Sequence, residues 1–239
     1  MTAVTGGRAA PGRGASTPAA TGVRGALAAA AGALYRNSWR FVVANAALSA
    51  AVLVPVWLAV ATAVAAPLLL VPLLAGPALA GLVHCAVTLQ QGDTGEIRVV
   101  DFGVGVRRHW RRGLALGSLV AVVLVAGSVA VRAYAGRGGP FLLLAFACAY
   151  LLTAVVLFQL VLWPVAVHGA DRPLRPAAAE AMRIFLSRWP AVLGLGLGLL
   201  LVNLVGIAAV LPVLTFTVAF SFLAAAHLVL PQPDPLVEV

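Results

Sequence analysis

Three histidines, His84, His168 and His227, lie near the same end of three apolar runs. Imidazole ligates metals and moves protons near neutral pH. If the runs are related by a pseudo-threefold axis, the rings could converge and hold zinc or a similar ion. Their offsets to the following aspartate differ widely, which argues against equivalence, and the sequence predicts no bound metal and no cofactor. Cys85 and Cys148 sit inside apolar runs and read as small buried residues rather than a disulfide framework. Carboxylates are confined to Asp93, Glu96, Asp101, Asp171, Glu180 and two in the C-terminal tail. The first five fall in arginine-rich loops, where solvated ion pairing is the expected role. There is no G-x-S-x-G, no H-E-x-x-H and no G-x-x-x-x-G-K, so the expectation is a protein that is not an enzyme. The polar groups within apolar runs are Asn45, Gln159, Asn203 and several Ser and Thr. Such amides either bond a neighbouring helix or line a polar path for a solute.

The elements that carry these residues follow from composition. Of 239 residues 62% are hydrophobic and 10% charged, against about 25% charged in a soluble domain. A soluble enzyme core, a disordered chain and collagen are excluded. The expected fold is all-α, a polytopic transmembrane helical bundle of six spans. Residues 1–24, without Asp or Glu, read as a disordered basic tail, with no apolar run early enough for a cleaved secretory signal. The Ala-rich stretch 26–35 is too short to cross a bilayer, which takes about 20 residues, and suits a helix lying at the interface. Spans are expected near 41–65, 68–90, 114–131, 141–167, 191–209 and 212–230. Ala66-Pro67 separates the first two, and Pro72 and Pro77 predict kinks in the second. Residues 92–113 and 168–189 read as polar loops, although 175–189 has the period of an amphipathic helix with Ala179, Met182, Ile184, Phe185 and Trp189 on one face. Residues 191–230 hold 40 residues without a charge. One helix of that length would be about 60 Å, twice the hydrocarbon core, so two spans are expected. Residues 231–239 form a short C-terminal tail.

All 16 basic residues are Arg, and the formal net charge is +9. With both termini inside, fourteen of the sixteen fall on the cytoplasmic side, and only Arg132 and Arg137 fall outside. The expected location is the inner membrane of a bacterium, multi-pass, with N- and C-termini cytoplasmic. This topology accounts for the basic charge, and nucleic acid is not an expected partner. Each odd-numbered span is preceded by an Arg-Trp cluster: Arg36, Trp39 and Arg40; Arg107, Arg108, Trp110, Arg111 and Arg112; Arg188 and Trp189. The tryptophans are 71 and 79 residues apart. Trp favours the headgroup level and Arg the anionic cytoplasmic leaflet, so these ten residues are expected to meet the lipid bilayer. The chain can thus be read as three units, each an interfacial helix followed by a transmembrane hairpin. Gly113/Gly117 and Gly194/Gly198 have the spacing that permits close helix approach.

Asn45, the stretch Val71-Pro72-Leu73-Leu74-Ala75-Gly76-Pro77-Ala78-Leu79-Ala80-Gly81-Leu82, and Val100-Asp101-Phe102 followed by Arg107-Arg108-His109-Trp110-Arg111-Arg112 make up one further pattern. Over roughly 36–230 this pattern resembles the YesL-like family of small bacterial membrane proteins. It departs from that family at Ala75, where a Thr is usual, and in a stretch shorter by one residue. The resemblance implies a polytopic membrane protein linked with carbohydrate uptake and use, and it transfers no catalytic or binding residues. The expected function is a non-enzymatic accessory or scaffold component of the cell envelope, beside another membrane protein such as a transporter subunit. The alternative is a small-solute permease using the Pro-broken second span, with Asn45, Gln159 and Asn203 lining its path.

Overall fold

The computed structural model describes residues 22–64, 66–91, 96–170, 172–209 and 217–231, with side chains in the fourth stretch to residue 204. Every regular element among them is helical: α1 (Val23–Arg36), α2 (Ser38–Thr62), a 3-10 turn (Ala66–Leu69), α3 (Leu70–Gln91), α4 (Val99–Ala135), α5 (Phe141–His168), α6 (Leu174–Ser187), α7 (Trp189–Ala209) and α8 (Val218–Val229). The chain is an all-α, multi-pass membrane protein. Almost all of the expected tail lies outside the described residues, but α1 starts at Val23, inside it.

The span count differs from six. Four helical stretches are long and apolar enough to cross a bilayer: Ser38–Thr62, Ala66–Gln91, Val99–Ala135 and Phe141–His168. A fifth is reached if α6 and α7, bent by 89° at Arg188, count as one. At 12 residues α8 is about 18 Å long, short of a bilayer of ~30 Å. Residues 210–216, part of the expected sixth span, lie outside the described residues.

Two further expectations are corrected. The segment 92–113 is no loop beyond residue 98: α4 runs unbroken for 37 residues, about 56 Å, so the Arg cluster is helical and continuous with its span. Asp101 starts it, accepting a 2.6 Å bond from Arg98 N and placing a carboxylate in the first turn, where the helix dipole favours it. The glycines at 103, 105 and 113 do not break α4, because two of them face a packed neighbour. In α3, Pro72 falls in the first turn, whose N–H groups have no partner within the helix. Pro77 lies inside the helix, and α3 nevertheless continues from Leu70 to Gln91, so the second span is not discontinuous.

Helices α3, α5 and α8 contact one another, and α2 and α4 pack outside α3. The core gathers at the arginine-bearing end: Ala80, Leu82, Val83 and Ala86 of α3, Val161 to Val167 of α5, and Leu223 to Ala226 of α8. Trp163 meets Phe222 edge-on at 6.5 Å. The opposite halves of α2, α4 and α5 stay exposed, with Trp57, Val60, Val125 and Leu151 pointing outward. That is the surface a lipid-facing segment presents. Gly138 and Gly139 make the turn between α4 and α5 at positive φ, 66° and 54°.

The first expected interfacial helix, α1, docks on α8 and α7 through Ala26, Ala30 and Ala33, all buried. Its alanines recur at i, i+4 and i+7, one stripe of a helix. On α6 the inward face is Ala177, Ala181, Ile184 and Phe185. Ile184 and Phe185 were expected there; Ala179, Met182 and Trp189 face outward instead. Phe185 meets Phe158 of α5 at 5.8 Å in a T-shaped contact, and that contact sets the face.

Candidate functional site

The arginine clusters divide into two sets. One Arg from each entrance turns inward to bond another part of the chain. Arg40 bonds Asn37 Oδ1 at 2.8 Å and Glu96 Oε2 at 3.2 Å, just beyond the end of α3. Asn37, fully buried between α1 and α2, also accepts Ile97 N at 3.1 Å and donates to Ala33 O. Arg112 donates to Ala166 O at 2.7 Å and Gly169 O at 3.0 Å, and also to Arg172 O, around the C-terminus of α5. Arg188 donates to Leu228 O at 3.1 Å at the C-terminus of α8. Helix C-termini leave carbonyls without intrahelical partners and carry partial negative charge. A guanidinium answers both needs with several fixed donors. Arg112 and Arg188 thereby make the same kind of contact in the second and third units, whereas Arg40 bonds side chains in the first, and in the middle unit the entrance helix is fused with its span into α4.

Arg36, Arg107, Arg108 and Arg111 remain exposed. So do Trp39, Trp110 and Trp189, at 59%, 48% and 56%. Arg40 and Arg111 lie over the Trp39 and Trp110 rings at 5.6 and 5.3 Å. Of the ten expected interface residues, Arg40, Arg112 and Arg188 therefore act chiefly within the protein.

Helices α3 and α4 run antiparallel at very short range. Gly76, Ala80, His84 and Thr88 repeat every fourth residue on α3, and Gly105, His109, Gly113 and Gly117 do so on α4. A Cβ on Gly113 would stand 2.6 Å from Gly76 O, and one on Gly105 would stand 2.7 Å from His84 Cβ. This approach brings the His84 and His109 rings to 5.2 Å, tilted by 47°. Beside them Gln91, the last residue of α3, meets His168 Nδ1, the last residue of α5, at 2.9 Å. Together His84, Thr88, Gln91, Arg108, His109 and His168 line a cavity of about 150 Å³, closed by Val87, Val167 and Ala170. His109 is buried and forms its floor, while Arg108 and His168 are exposed at its mouth.

The three expected histidines are thus only partly gathered. His84 and His168 share this cavity, but the third ring is His109 rather than His227, which lies on α8 and does not line it. Among the described residues no group of three or more His, Cys, Asp or Glu is placed to hold a metal ion. His109, Gln91 and Thr88 were not singled out from sequence. The signal for His109 was present: it continues the Gly113/Gly117 spacing by one four-residue step to Gly105.

Asn45 is buried on α2, Gln159 is half-buried on α5, and Asn203 donates to Leu199 O of its own helix at 2.7 Å. None of the three lines this cavity or the two larger ones. A larger one, about 460 Å³, opens between α2, α3 and α4 against Trp163 of α5 and Phe222 of α8, and bears no charged side chain among the described residues. Gly194 and Gly198 face Val23 and Leu27 of α1, so their small size serves a contact within the chain. No family model, no curated protein and no solved structure matches this chain.

Proposed function

We propose that the chain is a non-enzymatic accessory or scaffold protein of the bacterial inner membrane, with its arginine-rich end in the cytoplasm, acting beside a solute transporter. The observation that carries this reading is the division among the arginines. Arg112 and Arg188 stiffen the basic end from within by holding helix termini, and Arg40 joins it through Asn37 and Glu96. Arg36, Arg98, Arg107, Arg111, Arg175 and Arg183 stay exposed on it. A rigid face of like charge favours an anionic lipid surface or an acidic partner, and the positive-inside rule supports placing it in the cytoplasm. The YesL-like resemblance adds a lean toward carbohydrate uptake. A permease draws less support, since Asn203 is engaged with its own helix and the large groove is apolar.

The test is purification of the tagged full chain from native membranes in mild detergent, with quantitative mass spectrometry. A stoichiometric membrane partner is expected with the wild type and with Asn45→Ala and Asn203→Ala. The double variant Arg107→Glu/Arg111→Glu should lose it. A protein that isolates alone as a monodisperse species, and moves solute in liposomes, overturns the scaffold in favour of the permease.

A further inference from the structure

We propose that the cavity between α3, α4 and the end of α5 binds a phosphate group, carried either by a lipid headgroup or by a soluble phosphate compound. This goes beyond the scaffold reading and does not depend on it. Among the described residues the lining supplies one guanidinium, three imidazoles, one amide and one hydroxyl, and no carboxylate. Each of those six groups can donate a hydrogen bond to an oxyanion. Such a set suits a ligand that is negative and rich in acceptors. The carboxylate of Asp101 on α4 lies two turns before Arg108, accepts from Arg98 N at 2.6 Å and also acts electrostatically on His84.

Size and placement agree with the chemistry. The cavity of about 150 Å³ holds several waters at ~30 Å³ each, enough for a tetrahedral oxyanion with residual hydration. Gln91 engages His168 at Nδ1, 2.9 Å away, and leaves the Nε2 edge of that ring for a ligand. The rings of His84 and His109 are held at 5.2 Å by the glycine contacts behind them, so their positions are set before any ligand arrives. Binding then forfeits little conformational freedom. His168 also borders a second cavity, about 340 Å³, with Gly169, Arg172, Glu180 and Pro231, and this adjoining space can accept the organic part of a phosphate ester. Gln91 and His168 terminate their helices at the arginine-bearing end, where lipid phosphates lie in a membrane of this topology.

The experiment is calorimetric titration of the full-length protein in a non-ionic detergent. The probes are inorganic phosphate and a short-chain phosphatidate, with sodium chloride at matched ionic strength as control. One-to-one saturable binding of a phosphate probe is expected. Arg108→Gln should weaken it at least tenfold and His168→Gln severalfold, while Arg36→Gln, exposed at the end of α1 and outside the cavity, should leave it unchanged. Arg108 and His168 are both exposed, so neither change disturbs the core. Phosphatidate at least tenfold tighter than inorganic phosphate identifies the lipid as the source, and equal affinities identify a soluble phosphate compound. The proposal is overturned if neither probe saturates, or if Arg36→Gln weakens binding as much as Arg108→Gln does, since that is the behaviour of diffuse charge attraction.

Discussion

Replacing Arg112 with Met keeps most of the side-chain volume and removes the guanidinium. Two of its bonds, 2.7 Å to Ala166 O and 3.0 Å to Gly169 O, are partly buried; the third, to Arg172 O, is exposed. Charged hydrogen bonds contribute roughly 1.5–3 kcal/mol each, and an exposed one contributes little. Taking the lower figure for the two sheltered bonds gives a loss of about 3 kcal/mol. The neighbouring Arg111→Met removes only an exposed cation–π contact at 5.3 Å, which is worth about 0.5–1 kcal/mol. The difference, about 2 kcal/mol, is roughly thirtyfold in the folding equilibrium constant. Both variants remove one positive charge from the same helix, so net charge cancels in the comparison. Denaturant unfolding in detergent, followed by tryptophan fluorescence, reads the difference, because Trp163 is buried beside the tethered end of α5. Arg112→Lys should recover only part of the loss, since one compact ammonium cannot span carbonyls that a planar fork reaches together. Equal losses for Arg112→Met and Arg111→Met would refute the clamp and return Arg112 to the solvated interface set.

Gly113→Ala should destabilise the α3–α4 pair by about 1–3 kcal/mol, the range for overpacking, because its Cβ would stand 2.6 Å from Gly76 O. Gly194→Ala is the control: its Cβ would meet Val23 Cγ2 at an ordinary 3.5 Å, and alanine's helix preference of ~1 kcal/mol should leave the protein unharmed or more stable. Thermal unfolding of the pair in one detergent decides this. For the orientation, a cysteine placed at Arg137 in a Cys85→Ala/Cys148→Ala background should react with an impermeant maleimide added to intact cells. Labelling only after the cells are opened would invert the assignment.

The chain's own pattern sufficed to locate the four long apolar helices, though not to count the spans. Runs of apolar residues broken at Ala66-Pro67 and Gly138-Gly139-Pro140 locate α2, α3, α4 and α5, because backbone in lipid must satisfy its hydrogen bonds within a helix. The helix within 175–189 was legible as well, as α6 shows, but its inward face was not: of the five residues expected there only Ile184 and Phe185 turn inward. The chain alone did not reveal which way a side chain turns once helices meet. Arg111 and Arg112 are adjacent and chemically identical, yet one lies over Trp110 and the other holds the end of α5, a choice made by a contact 54 residues away. His109 read as part of a basic run until its glycine neighbours let α4 approach α3 and placed it against His84. An entrance helix before Trp110 is part of the three-unit reading, but its continuity with the span was not legible, because arginines and glycines interrupt the apolar pattern while packing against α3 and Asp101 at its start sustain the helix. Hydrophobic burial is non-directional and is written along the sequence. Hydrogen bonds and close glycine contacts depend on distance and angle between distant segments, and only the assembled tertiary structure sets those.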